Sequence, residues 1–234
     1  MVGLVAQVLV VAGPSGSGKS RLCRRLEASL GLPGVNLDDF YKSGDDPTLP
    51  RLGHVTGQVT GPAADKGTRQ AAGEVDWDDP ASWSLEEALD ALERLCRTGA
   101  ADVPVYDISR DGRTGVRTVS LGGAAYVVAE GLFAQEVIAD CRTRGLLADA
   151  VCVRNPRLVT FWRRLSRDLR EHRKPPLVLL RRGWRLMRAE PGVVAHAVAC
   201  GAVPLRPQQA FERICVLVTG SRVSSWRTAP RRQA

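Results

Sequence analysis

Residues 8–12 are continuously apolar after Gln7, as expected of a central parallel strand covered on both faces. Leu22, Leu26 and Leu30 follow at four-residue spacing, which predicts a helix from about Gly18 to Leu30. "GVNLDDFY" then reads as a short second strand ending in acids. From 43 to 73 the chain is rich in Gly, Pro, Thr and charge, with almost no apolar periodicity, and reads as a long mobile loop. "SLEEALDALERLCRTG" predicts a helix, with leucines at helical spacing, Ser84 as N-cap, Glu87 in capping-box register and Gly99 past the end. "ADVPVYDISRDGRTGVRTVSL" reads as two short strands around a "DGRTG" turn.

Further on, "AAYVVAEG" and "DAVCVRN" are two more buried-strand runs. A helix from about Ala134 follows the first, and an arginine-rich helix to about His172 follows the second. Pro175 and Pro176 stop that helix and start another carrying Leu179, Leu180, Trp184 and Met187. "FERICVLVTG" reads as a last strand, and residues 222–234 as a basic, frayed tail. Strands alternating with helices imply an α/β domain with a mostly parallel sheet and helices on both faces. One domain over residues 1–221 accommodates them.

Composition narrows the partners. No apolar run approaches the roughly 20 residues of a membrane span, and no targeting segment is visible at the N-terminus. The six cysteines are scattered without C-x-x-C or metal-ligand spacing, which reads as reduced core cysteine in a cytoplasmic protein. The net charge of +8 invites a nucleic-acid reading. Yet eleven arginines fall between Arg154 and Arg188, against only Asp168 and Glu171. That concentration suits a small polyanion better than a nucleic acid, and predicts an arginine-rich helical lid at about 163–176.

The anion is identified by Gly13-Pro14-Ser15-Gly16-Ser17-Gly18-Lys19-Ser20, which fits G-x-x-x-x-G-K-[ST] without mismatch, after a buried strand and opening a helix. In a P-loop NTPase such glycines let successive N–H groups turn inward around a phosphate, at a helix N-terminus that favours negative charge. Lys19 reaches the β- and γ-phosphates of ATP and is expected to be exposed at the loop, while Ser20 ligates Mg²⁺. Asp38 and Asp39 lie at a strand's C-terminal end, where α/β sheets bind ligands. Alternation turns only one of them to the phosphates, to take a proton during in-line transfer; a helix cap or solvated loop is the other reading. Glu130 ends "YVVAE", where an acid holds Mg²⁺ directly or through water, or simply faces solvent. Arg163, Arg164, Arg167, Arg170 and Arg173 form either a solvated helix face or a clamp on developing charge. Arg164 and Arg167, three apart, share a face.

"GPSGSGKS", "NLDDFYK", "VDWDDP", "DVPVYD", "VVAEGLF" and "RRLSRD" occur in an order and spacing that resembles uridine kinases, over about residues 7–173. The resemblance implies a nucleoside kinase that uses ATP and Mg²⁺ to phosphorylate a 5′-hydroxyl. It implies Asp38 as the catalytic base, Lys19 and Arg167 as catalytic cations, and Arg164 and Arg167 as phosphate contacts. It further implies Tyr41, Trp77, Asp78 and Tyr106 as the nucleoside pocket, with Asp78 gripping the ribose 2′- and 3′-hydroxyls, and Ser20 and Glu130 at the metal. The chain departs from the pattern at Asp111, which stands where the family reads the base with histidine, and at Ile108, which replaces a phenylalanine. Residues 53–73 look inserted, and the segment beyond Pro175 has no counterpart in the family pattern. Those departures keep open a related kinase for another sugar alcohol or a pantothenate-like acceptor. A nucleotide-dependent switch without an acceptor is the further alternative, against which Asp38 argues.

Overall fold

The computed structural model describes residues 5–51, 75–156, 158–162, 166 and 176–227, with backbone alone at 176–186, 189 and 221–227. Five strands make one parallel sheet: β1 (Gln7–Ala12), β2 (Gly34–Asn36), β5 (Tyr126–Glu130), β6 (Leu147–Val153) and β7 (Val203–Leu205), ordered β2-β5-β1-β6-β7. β1 is central, with Val8 to Ala12 no more than 1% exposed. The two remaining strands, β3 (Ala100–Asp107) and β4 (Gly112–Ser120), pair antiparallel as a separate ribbon.

Helices cover both faces. On one, α1 (Lys19–Leu30) and α5 (Pro207–Arg227) meet the sheet through Leu22, Leu26, Ala210, Ile214 and Val218. On the other lie α2 (Leu85–Thr98), α3 (Val137–Thr143) and the end of α4 (Pro176–Ala199), with Leu89, Leu92, Leu95, Ile138 and Ala197 in the core. Residues 158–162 and 166 are helical as well. No helix among the described residues is long and apolar enough to cross a membrane.

Several local expectations change. The segment 211–220 is part of α5 rather than a strand, and α5 continues to Arg227, into residues expected to fray. The last sheet strand is instead the three-residue β7, with Pro204 inside it. The acids after β2 lie in a 3-10 turn, Leu37–Phe40, not in the strand. The tight turn of the ribbon is 108–111, and the glycines of "DGRTG" open β4. Ser84 caps α2 by position without a side-chain bond, and no capping box closes: Ser84 N donates to Phe40 O and Glu87 turns outward to Arg113. Within the predicted mobile loop, 43–51 is folded: Leu49 is buried, Asp46 Oδ1 accepts from Thr48 N at 2.8 Å, and Arg51 bridges Val75. The rest of that loop lies outside the described residues.

Candidate active site

The parallel register brings three strand ends together. Val11 of β1 pairs with Glu130 of β5, and Asn36 of β2 pairs with the same Glu130. The loop after β1, the turn after β2 and Gly131 after β5 therefore leave one edge of the sheet side by side, at the crevice where such sheets bind ligands.

The loop 13–18 is shaped by its glycines. Gly13, Gly16 and Gly18 all have positive φ, and a Cβ on Gly13 would stand 2.4 Å from Val153 O of β6. From beyond the end of β6, Asn155 Nδ2 donates to Ser17 O at 2.5 Å, so that strand braces the loop from outside. Ser17 is fully buried and its Oγ has no partner in the structure. Positive-φ glycines that open directly into the N-terminus of α1 form the cradle that a phosphate takes.

Lys19 is buried, contrary to expectation, with its ammonium laid across the loop and donating to Gly13 O at 2.7 Å and Pro14 O at 3.2 Å. Those carbonyls take two of its three donors. Burial pulls its pKa down, and the charges of Asp38 and Glu130 oppose that fall. Ser20 Oγ donates to Glu130 Oε2 at 3.2 Å, and burial raises the Glu130 pKa above the ordinary range. A hydroxyl and a carboxylate side by side at the loop are the oxygen donors that Mg²⁺ prefers.

The two acids after β2 face different ways. Asp38 Oδ1 accepts from Leu132 N at 2.7 Å, which turns it toward Lys19 and Glu130. Its approach requires glycine at 131, where a Cβ would lie 2.9 Å from both Asp38 Oδ1 and Leu37 Cβ. Asp39 instead faces the ribbon, 3.6 Å from Arg117 Nη2 and accepting from the Tyr106 backbone. The turn is anchored by Trp83 Nε1 donating to Leu37 O at 2.6 Å and Ser84 N donating to Phe40 O at 3.0 Å.

Beside Asp38 is an aromatic cluster. Tyr41 has ring centroids of Trp77 at 5.8 Å, Tyr106 at 5.7 Å and Phe133 at 5.9 Å, mostly edge-on, and its hydroxyl donates to Trp77 O at 3.1 Å. Trp77 and Tyr106 are 6.3 Å apart. Asp78 follows Trp77 and is exposed. Asp111 is exposed at the ribbon turn with φ 45°, and its carbonyl accepts from Gly44 N at 2.6 Å. Its charge, after burial, helps push the Tyr106 phenol up to about 12.

The structure thus gathers Gly13 to Ser20, Asp38 and Glu130 in one place and Tyr41, Trp77 and Tyr106 in an adjoining one, while Asp111 belongs to a turn at the cluster's margin. Arg163, Arg164, Arg167, Arg170 and Arg173 lie outside the described residues. Four contributors escape sequence reasoning: Gly131, Phe133, Arg117 and Asn155. "AEGLF" holds a signal for the first two, a glycine and an aromatic just past a buried strand; Arg117 and Asn155 act through long-range contacts that have no local signature.

Known proteins extend this picture. A family model described as phosphoribulokinase / uridine kinase family matches residues 8–174. The uridine kinase of Deinococcus deserti is 31% identical over 173 residues, 72% of this chain and 72% of that protein. The uridine kinase of Schizosaccharomyces pombe is 30% identical over 162 residues, 68% of this chain. The chain spans only 31% of that relative's length, and 29% of its Saccharomyces cerevisiae counterpart's. The fold is shared with a solved structure described as a proposed fructose transport system kinase from Silicibacter sp. TM1040, at TM-score 0.57 and 20% identity, over 81% of this chain and 85% of that one. With its phosphate loop, strand-end acids and matched span of 8–174, the chain belongs to the phosphoribulokinase / uridine kinase family.

Proposed function

We propose that this protein transfers the γ-phosphoryl group of ATP to the 5′-hydroxyl of a nucleoside of the uridine or cytidine type, giving ADP and the 5′-monophosphate. The observation that carries the reading is Asp38, fixed at 2.7 Å by Leu132 N and set between the Lys19–Glu130 group and the aromatic cluster. Asp38 takes the hydroxyl proton as the oxygen–phosphorus bond forms and the bond to the β-phosphate oxygen breaks. General-base assistance of this kind contributes about 10²–10⁴ in rate. Lys19 exchanges its loop carbonyls for phosphate oxygens and neutralises charge on the departing ADP. Ser20 and Glu130 are the residues that would hold Mg²⁺, which supplies further charge neutralisation on the phosphates. Tyr41, Trp77, Tyr106 and Phe133 offer ring faces and edges to a flat base, and exposed Asp78 accepts from vicinal ribose hydroxyls. Arg164 and Arg167 close over the phosphates in this reading, and the activity is cytoplasmic.

One specific observation favours a second acceptor class. Asp111, where the resemblance expects a histidine, belongs to an exposed turn on the margin of the cluster, so this position brings no histidine donor to a base edge. The test is a screen of ATP consumption and product identity against uridine, cytidine, purine nucleosides, simple sugar alcohols and pantothenate. Nucleoside 5′-monophosphate from uridine or cytidine supports the reading. Turnover with sugar alcohols or pantothenate alone moves the assignment to the second class.

A further inference from the structure

His196 and Cys200 lie beyond the family-matched span, one turn apart at the end of α4. Glu136, at the end of the 3-10 turn 134–136, comes up against them from the family-like core. His196 Nε2 is 2.8 Å from Glu136 Oε1, and Cys200 Sγ is 3.8 Å from His196 Nε2. All three donor atoms lie within 4.8 Å of one another.

The backbone beneath them is rigid. Gly201, at φ 100°, ends the helix in a Schellman arrangement: Gly201 N donates to Val198 O and Ala202 N to Ala197 O, both at 2.9 Å. Ala197 and Ala202 are core residues, so the last turn of α4 cannot drift from the sheet. Gln135, itself buried, donates Nε2 to Glu136 Oε1 at 3.1 Å and orients that carboxylate, as outer partners of metal ligands do. The C-terminal end of a helix also carries partial negative charge, which favours a cation beside His196 and Cys200.

We propose that Glu136, His196 and Cys200 form a site for a borderline divalent transition metal, Zn²⁺ foremost, that clasps α4 onto the family-like core. A mixed imidazole, thiolate and carboxylate set suits Zn²⁺ and its close relatives over Mg²⁺ or Ca²⁺. Bonds of about 2.0–2.3 Å at tetrahedral angles place ligand atoms roughly 3.3–3.7 Å apart. The separations of 2.8 and 3.8 Å bracket that range and the third pair, Glu136–Cys200, lies within 4.8 Å, so shifts of about an ångström admit the ion in place of the proton between His196 and Glu136. The His196 side chain is 52% exposed, which gives the ion an entry path and a water as fourth ligand. On binding, the Cys200 thiol proton leaves to solvent and the thiolate takes its place on the metal.

The test uses the full chain, stripped with chelator and titrated with Co²⁺ and then Zn²⁺. The expected result is a thiolate-to-cobalt charge-transfer band saturating at one equivalent and abolished by Zn²⁺. C200S removes the band, and E136Q weakens binding by at least about tenfold. Zn²⁺ at about a hundred times Kd raises the melting temperature by about 5–10 °C in the parent chain and not in C200S. Melting curves of the stripped proteins identify any variant that fails to fold, and H196N then serves as the second ligand deletion. A missing band, or a band that persists in C200S because another cysteine supplies the thiolate, overturns the proposal and reduces the group to a hydrogen-bonded contact. ADP formation with a nucleoside is a separate readout that neither result touches.

Discussion

On the phosphate side of the candidate site Lys19 is tied to two loop carbonyls, Asp38 to Leu132 N, the loop itself to Asn155, and Ser20 to the Glu130 carboxylate. On the acceptor side the rings of Tyr41, Trp77 and Tyr106 pack against one another, the Tyr41 hydroxyl donates to Trp77 O, and Asp78 and Asp111 are exposed. Strand register defines the first region and side-chain packing the second. In the proposed reading the phosphoryl-transfer residues sit on the first region and the acceptor contacts on the second.

That contrast can be broken most sharply at Asp38. Asp38→Asn keeps the bond from Leu132 N but loses the proton acceptor, so kcat should fall about 10²–10⁴-fold with ATP affinity little changed. Asp39→Asn, facing the ribbon, should alter kcat by no more than a few-fold; the reverse ranking would exchange their roles. Gly131→Ala is the geometric version of the same cut, since its Cβ would press on Asp38 Oδ1 from 2.9 Å. A displaced base should cost about tenfold to a hundredfold in kcat, and unchanged turnover would show that Asp38 does not need this position.

Trp77→Ala probes the softer side. Loss of one stacking partner, worth about 1–3 kcal/mol for a base, should raise the acceptor KM about tenfold while kcat and ATP affinity hold. A fall in kcat with constant KM would place Trp77 nearer the chemistry than the cluster suggests. A pH series sharpens the phosphate side further. Burial raises the Glu130 pKa, so the acid limb of kcat/KM should lie above the ordinary glutamate value. Mg²⁺ competes with that proton, and raising its concentration should move the limb to lower pH. An acid limb indifferent to Mg²⁺ would remove Glu130 from the metal. The smallest effect is expected at Asp111→His, whose turn position predicts an unchanged ratio of kcat/KM for uridine over cytidine, within about twofold. A larger change would bring the turn into the base pocket.

Legibility in the sequence follows the same division. The phosphate loop, β1, β5 and α2 are readable because backbone conformation and burial dictate composition there: positive φ demands glycine, and a strand covered on both faces must be apolar. The last segment fails for a physical reason. Cys215-Val216-Leu217-Val218 has the β-branched look of a strand, yet the buried residues are Ala210, Ile214 and Val218 at helical spacing, with Val216 71% exposed. Tertiary burial, not propensity, decides that element. The pairing of Asp39 with Arg117, the brace from Asn155 and the approach of Glu136 to His196 join residues far apart in sequence, which no local pattern encodes. Burial of Lys19 is illegible for a related reason: only the folded loop shows its carbonyls turned toward the ammonium.

The central claim, transfer to a 5′-hydroxyl activated by Asp38, is tested most directly by ADP release with uridine, with 5′-deoxyuridine and with no acceptor. The account predicts ADP and uridine 5′-monophosphate in equal amounts with uridine, and neither with 5′-deoxyuridine or without an acceptor. ADP formed at the same rate in all three would contradict it, and would describe a nucleotide-hydrolysing protein whose aspartate activates water.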